Sequence, residues 1–220
     1  MRKKTWLIFA GCLLFALLVA PAAWAHQPRR VLDNQLVLIK NAEVSQAFYG
    51  ELKGHEASYL IDLKQAQDLY LKILVPDLTG NLKDKSVEVE YLPALGESVL
   101  NFIKLDADTI EWKKYYEEFS GDNYYEGPEA KQPAEAGYYL IKIYSPDNQG
   151  KYVLVVGEKE EWTALETIKA AYTVPLLKKD FFEQPISRWF NGQAGKYAGG
   201  GLLGLIILVL AFNRFNKVIK

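Results

Sequence analysis

The chain has 220 residues, of which 50% are apolar and 24% are charged. This is the composition of a folded globular protein, and it excludes collagen-like and low-complexity chains. A single cysteine, Cys12, excludes a disulfide framework, and two histidines, His26 and His55, are too few for a three-histidine metal site. The sequence therefore bears on location and architecture more than on chemistry.

The N-terminus has the parts of a secretory signal peptide. Basic residues 2–4 precede an apolar run over Trp6–Ala20, and Ala23 and Ala25 are the small residues that signal peptidase requires. We predict a signal peptide over residues 1–25, with cleavage after Ala25. A lipoprotein signal ending at Cys12 is an alternative, but the apolar run in front of Cys12 is too short to insert into a membrane.

A second apolar run covers Tyr197–Phe215. As a helix of about 1.5 Å per residue it would be about 28 Å long, close to the roughly 30 Å of a bilayer core. The basic tail after it, with Arg214, Lys217 and Lys220, contains no acid and is typical of a cytoplasmic end. The sequence predicts a single-pass membrane protein with a transmembrane helix over 197–215 and a cytoplasmic tail over 216–220. A buried core helix is the alternative.

Glycines cluster at the start of this apolar run. The pairs Gly195/Gly199 and Gly200/Gly204 have the four-residue spacing that lets two spanning helices pack closely, which suggests a homodimer. Three consecutive glycines before an apolar stretch and a basic tail also resemble a bacterial sorting signal that a membrane protease trims. Both interpretations remain open.

Charge is divided unevenly along the chain. Twenty of the 26 basic residues and all 27 acids lie between the two apolar runs, so the exported part has a net charge near −7. An acidic domain without a basic stripe argues against nucleic acid, and against anionic lipid headgroups, as its main ligand.

Residues 26–158 have the pattern of an extracytoplasmic β-sandwich. Short runs rich in Val, Ile, Leu and Tyr recur about every ten residues between turn residues. We predict a mainly β, antiparallel, jelly-roll-like sandwich, with a hairpin turn over 146–150 between its last two strands. The predicted strands are Leu36–Lys40, Ala47–Leu52, Ser58–Leu63, Leu69–Val75, Ser86–Tyr91, Val99–Leu105, Tyr138–Tyr144 and Tyr152–Val156.

One segment interrupts this pattern with helical spacing. Asp108 and Glu111 have the form of a capping box, and Trp112, Tyr115, Tyr116 and Phe119 would share one helical face. We predict a short inserted helix over 109–119, followed by a loop over 122–128.

Helical spacing returns in the juxtamembrane segment, residues 159–196. Trp162, Leu165, Ile168 and Tyr172 share a stripe, Thr163 is a possible cap, and Pro175 is expected to end the helix. Residues 176–190 mix aromatic and basic side chains. Such a segment lies at a membrane surface or covers the open end of the sandwich, and the sequence favours neither.

The run Gly137–Pro146, followed by Gly150–Val156, resembles the closing hairpin of bacterial pre-peptidase C-terminal-type β-sandwich domains. This resemblance covers about twenty residues and implies a secreted sandwich used for binding and targeting. No peptidase precedes the hairpin here, so no proteolytic association is carried over.

The aromatic cluster provides the candidate binding residues. Tyrosine and tryptophan rings stack on sugars or on a partner's apolar surface, and we predict ligand contacts at Trp112, Tyr116, Tyr124 and Tyr125. The alternative is that these rings only pack on the sheet. Asp106, Asp108, Asp122, Asn123 and Glu126 could supply oxygen ligands to Ca²⁺, but their spacing matches no known loop and we predict no metal or cofactor.

No catalytic motif is present, and His55 has the context of an exposed turn. We therefore predict a non-catalytic protein. The first hypothesis is a membrane-anchored binding or adhesion module for a glycan or protein outside the cell. The second is a structural or accessory subunit of a cell-envelope membrane complex.

Overall fold

The computed structural model describes residues 26–32, 36–93, 100–197, 199–201 and 204. The strands are β1 Gln27–Arg30, β2 Val37–Ile39, β3 Gln46–Lys53, β4 Ala57–Leu63, β5 Gln67–Pro76, β6 Ser86–Leu92, β7 Leu100–Leu105, β8 Lys113–Glu117, β9 Asp122–Ala134, β10 Gly137–Tyr144 and β11 Gln149–Val156. They are followed by the helix α1, Ala164–Asp180, and by a 3₁₀ helix, Ile186–Asn191. The predicted signal peptide, most of the predicted spanning segment and the predicted tail lie outside the described residues.

The protein is mainly β, with two sheets packed face to face. The six-stranded sheet has the order β1-β3-β11-β5-β9-β8, and the five-stranded sheet has the order β2-β4-β10-β6-β7. Most neighbours are antiparallel, but β1 is parallel to β3 and β2 is parallel to β4. The prediction of purely antiparallel sheets was therefore wrong. The chain alternates between the sheets over its first four strands, so strands two apart run in the same direction and meet as neighbours.

The eight strands predicted from the apolar pattern are all present, each with its ends within three residues of the prediction. Three strands were missed, β1, β8 and β9. The strand β1 reads Gln-Pro-Arg-Arg, and β9 contains Gly127, Pro128 and Pro133. These strands have few apolar residues to alternate, so their strand character comes from pairing with their neighbours.

The inserted helix predicted over 109–119 was wrong. Its first residues form a turn in which the Thr109 amide donates to the Asp106 carbonyl, so Asp108 caps no helix. The next residues form β8, which pairs with β9 along its whole length. Aromatic side chains favour strands at least as well as helices, and the hydrogen bonds to β9 decide between the two.

The turn at 146–150 is confirmed, but the hairpin is not. Asn148 and Gly150 have φ angles of 51° and 96°, as a tight turn requires. However, β10 belongs to the five-stranded sheet and β11 to the six-stranded sheet. The turn therefore moves the chain from one sheet to the other.

The inner core lies between the two sheets. Val87 and Val89 are fully buried there, as their alternation with Glu88 and Glu90 predicts. Across the core, the hydroxyl groups of Tyr59 and Tyr152 are 2.8 Å apart and hydrogen-bonded. This bond satisfies two phenol groups that would otherwise be costly to bury.

A second core covers the outer face of the six-stranded sheet. Tyr49, Tyr124 and Val153 from the sheet meet Phe181 and Phe182 from the end of the helical segment. The helix α1 begins as predicted, because the Glu166 amide donates to the Thr163 hydroxyl at 3.2 Å. Two arrangements were considered for residues 176–190, at a membrane surface or over the open end of the sandwich. The first part of this segment does cover the domain, but it lies on an outer face of the sandwich and not at its open end.

Pro175 does not end α1, contrary to the prediction. It lies inside the helix, which continues to Asp180. A proline in a helix removes one hydrogen bond and costs about 3 kcal/mol. Ala170, Val174 and Leu177 are buried on one side of α1, and this packing compensates for the lost bond.

Within the described residues, no helix is both long and apolar enough to cross a membrane.

Candidate functional site

The aromatic cluster lies on the two-stranded ribbon β8–β9, in which β8 is an edge strand of the six-stranded sheet. Lys114 is paired with Tyr125, and Tyr116 with Asn123. Directly paired residues point to the same face of a sheet. Tyr116 and Tyr125 therefore lie on one face of the ribbon, and Tyr124 lies on the other.

The face with Tyr116 and Tyr125 is open to solvent. Tyr116 is 48% exposed. The Tyr125 ring is partly buried, with the Lys83 and Lys114 ammonium nitrogens 4.5 and 5.5 Å from its centre. Asp77 pairs with Lys114 at 3.1 Å. We call Lys83, Lys114, Tyr116 and Tyr125 the ribbon face. It combines a free aromatic surface with ammonium groups, which suits ligands that have both apolar and acidic parts.

The other two predicted site residues have different surroundings. Tyr124 is 1% exposed and lies beneath Phe182, and its hydroxyl donates to that of Tyr49 at 3.4 Å. Trp112 packs against the inner core and donates to the Ala107 carbonyl at 2.9 Å. The structure thus brings together Tyr116 and Tyr125 and separates them from Tyr124 and Trp112. Ligand binding by these residues stays a prediction.

Two of the carboxylates considered for calcium form ion pairs. Asp122 pairs with Lys178, and Asp106 pairs with Lys104 at 3.2 Å. Over the described ranges, no three Asp, Glu, His or Cys residues come together as metal ligands would.

A polar cluster is buried between α1 and the ribbon. The Lys178 ammonium group is 2.5 Å from an Asp122 carboxylate oxygen, and the two side chains are 0% and 1% exposed. The other Asp122 oxygen accepts the Ser120 hydroxyl at 2.8 Å. Glu117 accepts the backbone amides of Phe119 and Ser120 at 2.9 and 2.8 Å. Each buried charge therefore has a partner, as burial requires.

Burial raises the pKa of Asp122 and also that of Glu117. Lys178 opposes the shift of the pKa of Asp122, and the hydrogen bonds from Ser120 and Phe119 oppose the shift for Glu117. In both groups desolvation is the larger effect, and it raises the pKa because it penalises the ionised form. Burial and the nearby Glu117 raise the pKa of Tyr115 to about 12.

A small cavity lies beside this cluster. It has a volume of about 20 Å³, enough for one water molecule. Its lining includes His26, Tyr49, Glu117, Ser120 and Tyr124, together with apolar residues such as Leu74 and Val174. The cavity is too small for a substrate.

His26 has a shifted pKa at the edge of this cavity. Its ring is hydrogen-bonded to the Ser45 hydroxyl. Burial, with a smaller effect from Lys72, lowers the pKa of His26 to about 4. His55, by contrast, is exposed in a turn.

Sequence reasoning missed the buried pair, because Lys178 and Asp122 are 56 residues apart. One signal was available. Lys178 shares a face of α1 with Ala170, Val174 and Leu177, all of which are buried. A lysine on an apolar helix face predicts a buried acidic partner.

No protein family model matches the chain, and no curated protein matches it. Among solved structures, it is similar to a 1.0 Å crystal structure of the pre-peptidase C-terminal domain of a collagenase from Bacillus anthracis. The two are 13% identical with a TM-score of 0.32, over 60% of this chain and 95% of that one. A likeness at this TM-score says nothing about what the chain binds.

Replacing Lys178 with methionine should destabilise the protein by about 3–5 kcal/mol, because it leaves the Asp122 carboxylate buried without its cation. The double variant Lys178→Met/Asp122→Asn should lose less than the sum of the single variants. Urea denaturation of the four proteins measures this coupling. The exposed pair Lys64–Asp62 serves as control, and Lys64→Met should change stability little. Additive losses would contradict the assigned pairing.

His26 should make the fold less stable in acid. As the pH falls from about 6.5 to about 4, the unfolded chain protonates this histidine while the folded chain does not, at a cost of up to about 3 kcal/mol. Asp122 and Glu117 have raised pKa values, so their protonation stabilises the fold as the pH falls. A His26→Asn variant keeps both carboxyl groups, so their contribution cancels when the two proteins are compared. The difference between the two proteins, measured by denaturation across this range, isolates the histidine. An equal pH dependence would show that His26 is not buried as described.

Proposed function

We propose that this protein is a membrane-anchored, extracytoplasmic β-sandwich that acts as a non-catalytic binding or adhesion module. The supporting observation is the ribbon face, where the exposed Tyr116 lies beside the lysine-flanked Tyr125. Export and anchoring are proposed from the sequence, from the basic and apolar start with its small residues near Ala25 and the apolar run over 197–215.

The ligand that fits this face is a glycan or a segment of a partner protein. The Tyr116 ring offers a surface for a sugar ring or an apolar side chain. At Tyr125 the ammonium groups of Lys83 and Lys114 lie against the ring. A ligand would therefore bind there through an acidic group that contacts the two lysines, and less by stacking on the ring. Acidic sugars and acidic peptide segments combine these two features.

The test is binding of the full chain, solubilised in detergent, to an array of glycans and to proteins of the envelope. The double variant Tyr116→Ala/Tyr125→Ala should weaken binding at least about tenfold, since aromatic side chains dominate binding surfaces. Tyr138→Ala is the matched control, because Tyr138 is a partly exposed tyrosine of β10, in the other sheet.

Equal loss in the double variant and in Tyr138→Ala would contradict a ligand site at the ribbon face. Unchanged binding in the double variant Tyr116→Ala/Tyr125→Ala would also contradict it.

The second candidate function is that of a structural or accessory subunit of an envelope complex. The observation that favours it is the large apolar surface on the outward side of α1, where Ile168 and Tyr172 are 67% and 71% exposed. Under this function, partners that co-purify with the solubilised chain depend on residues 176–212, and changes at the ribbon face leave them bound.

A further inference from the structure

The helix α1 has apolar side chains on two sides. Ala170, Val174 and Leu177 are buried against the sheet. Leu165, Ile168 and Tyr172, which we call the α1 stripe, are 59%, 67% and 71% exposed. Their spacing of three and four residues places them along one side of the helix. Exposed apolar side chains that are grouped along one side of a helix suggest a contact surface.

Further apolar side chains are exposed toward the C-terminus. The 3₁₀ helix packs against α1 and exposes Ile186 and Phe190, and Tyr197 is exposed after it. A side chain at Gly199 would lie 3.4 Å from the Phe190 ring, so this ring is next to the start of the apolar run. We call residues 164–201 the helical layer; it contains the α1 stripe and directly precedes residues 202–215 in the chain.

In this layer the acids form ion pairs with the domain, whereas several basic residues have no ion-pair partner in the part of the chain that the structure describes. Residues 164–201 contain three acids, and each is paired with a basic residue of the domain: Glu166 with Arg29 at 2.8 Å, Asp180 with Arg30 at 2.6 Å and Glu183 with Lys151 at 2.5 Å. Lys179, Arg188 and Lys196 are exposed, and none of them forms an ion pair with an acid of the described chain. The layer is thus locally basic on a domain that is acidic as a whole.

We propose that the α1 stripe, with Ile186, Phe190 and Tyr197, lies against the headgroup region of the bilayer that the apolar run enters. This proposal rests on the membrane anchoring in the proposed function. Leucine and isoleucine inserted at the boundary, aromatic rings at headgroup level and basic residues beside them form the pattern of an interfacial helix.

The covalent connection selects the bilayer over other partners. Among the described residues, Tyr197 is the last large apolar side chain that is exposed, and it is also the first residue of the apolar run. Wherever that run inserts, the layer must lie close to the membrane surface. The layer then covers the domain on one side and contacts the membrane surface on the other. The domain would be held flat on the membrane, with the sheet on one side of α1 and lipid on the other.

The chain offers a clean way to test this, because its only cysteine, Cys12, lies in the predicted signal peptide. In the mature chain, from His26 to Lys220, a single cysteine at Ile168 is labelled with an environment-sensitive fluorophore. This mature chain is reconstituted in vesicles of phosphatidylcholine and phosphatidylglycerol, with and without nitroxide-labelled lipid. The matched control is Leu38→Cys, since Leu38 is 62% exposed on β2, in the other sheet. Both positions are exposed, so neither change should disturb folding.

The label at Ile168 should lose about half of its emission when nitroxide lipid is present, because an interfacial helix places its apolar face at the boundary of headgroups and acyl chains. The label at Leu38 should be unaffected. If the chain floats with the vesicles but both labels are equally unquenched, the docking is wrong and the anchoring stands; a surface reserved for a protein partner would give this result. If the chain does not float, the anchoring is wrong, and the docking with it.

Discussion

The arrangement of this domain depends on covering the outer face of its six-stranded sheet. Tyr49, Tyr124 and Val153 on that face would be exposed to water without the helical segment that follows the last strand. The helix α1 supplies the cover, and it does so with Lys178 on its buried side. A buried lysine is tolerable only with a well-placed acid, and Asp122, at the start of β9, provides it. Covering the sheet and pairing this lysine are therefore one requirement.

This requirement links parts of the molecule that are distant in sequence. Asp122 and Glu117 lie at the two ends of the turn between β8 and β9. That turn is also where the chain meets the segment after the 3₁₀ helix, since the Gln193 and Ala194 amides donate to the carbonyls of Glu118 and Phe119. The ribbon that carries Tyr116 and Tyr125 on one face is held by α1 on the other. The candidate binding surface thus rests on the interface that covers the sheet.

The sequence predicted most of the sandwich, because eight strands carry apolar side chains at a period that matches burial. It did not predict β8 and β9. Tyr115 and Tyr116 have helical spacing with Trp112, and only the hydrogen bonds to β9 make this segment a strand. The end of α1 was missed for a related reason, because Pro175 disfavours a helix locally and the contacts of Val174 and Leu177 with the sheet outweigh it. In each of these places tertiary contacts override a local pattern.

The candidate site was predictable only in part. Aromatic density pointed to the segment that carries the ribbon face. The direction in which each side chain points depends on strand alternation, so Tyr124 was grouped with Tyr125 although the two lie on opposite faces. The pairing of Lys178 with Asp122 joins residues that no local pattern relates. The apolar spacing of Leu165, Ile168 and Tyr172 correctly indicated a helix, yet this stripe faces outward. Periodicity identifies a helix face but not what that face contacts.

The central claim is that α1 folds as one unit with the six-stranded sheet. Hydrogen–deuterium exchange of the full chain measures this directly, because amides of one cooperative unit open together. The account predicts that the amides of residues 176–182 exchange as slowly as those of β11. If they exchanged rapidly while β11 stayed protected, α1 would not cover the sheet and the account would be contradicted.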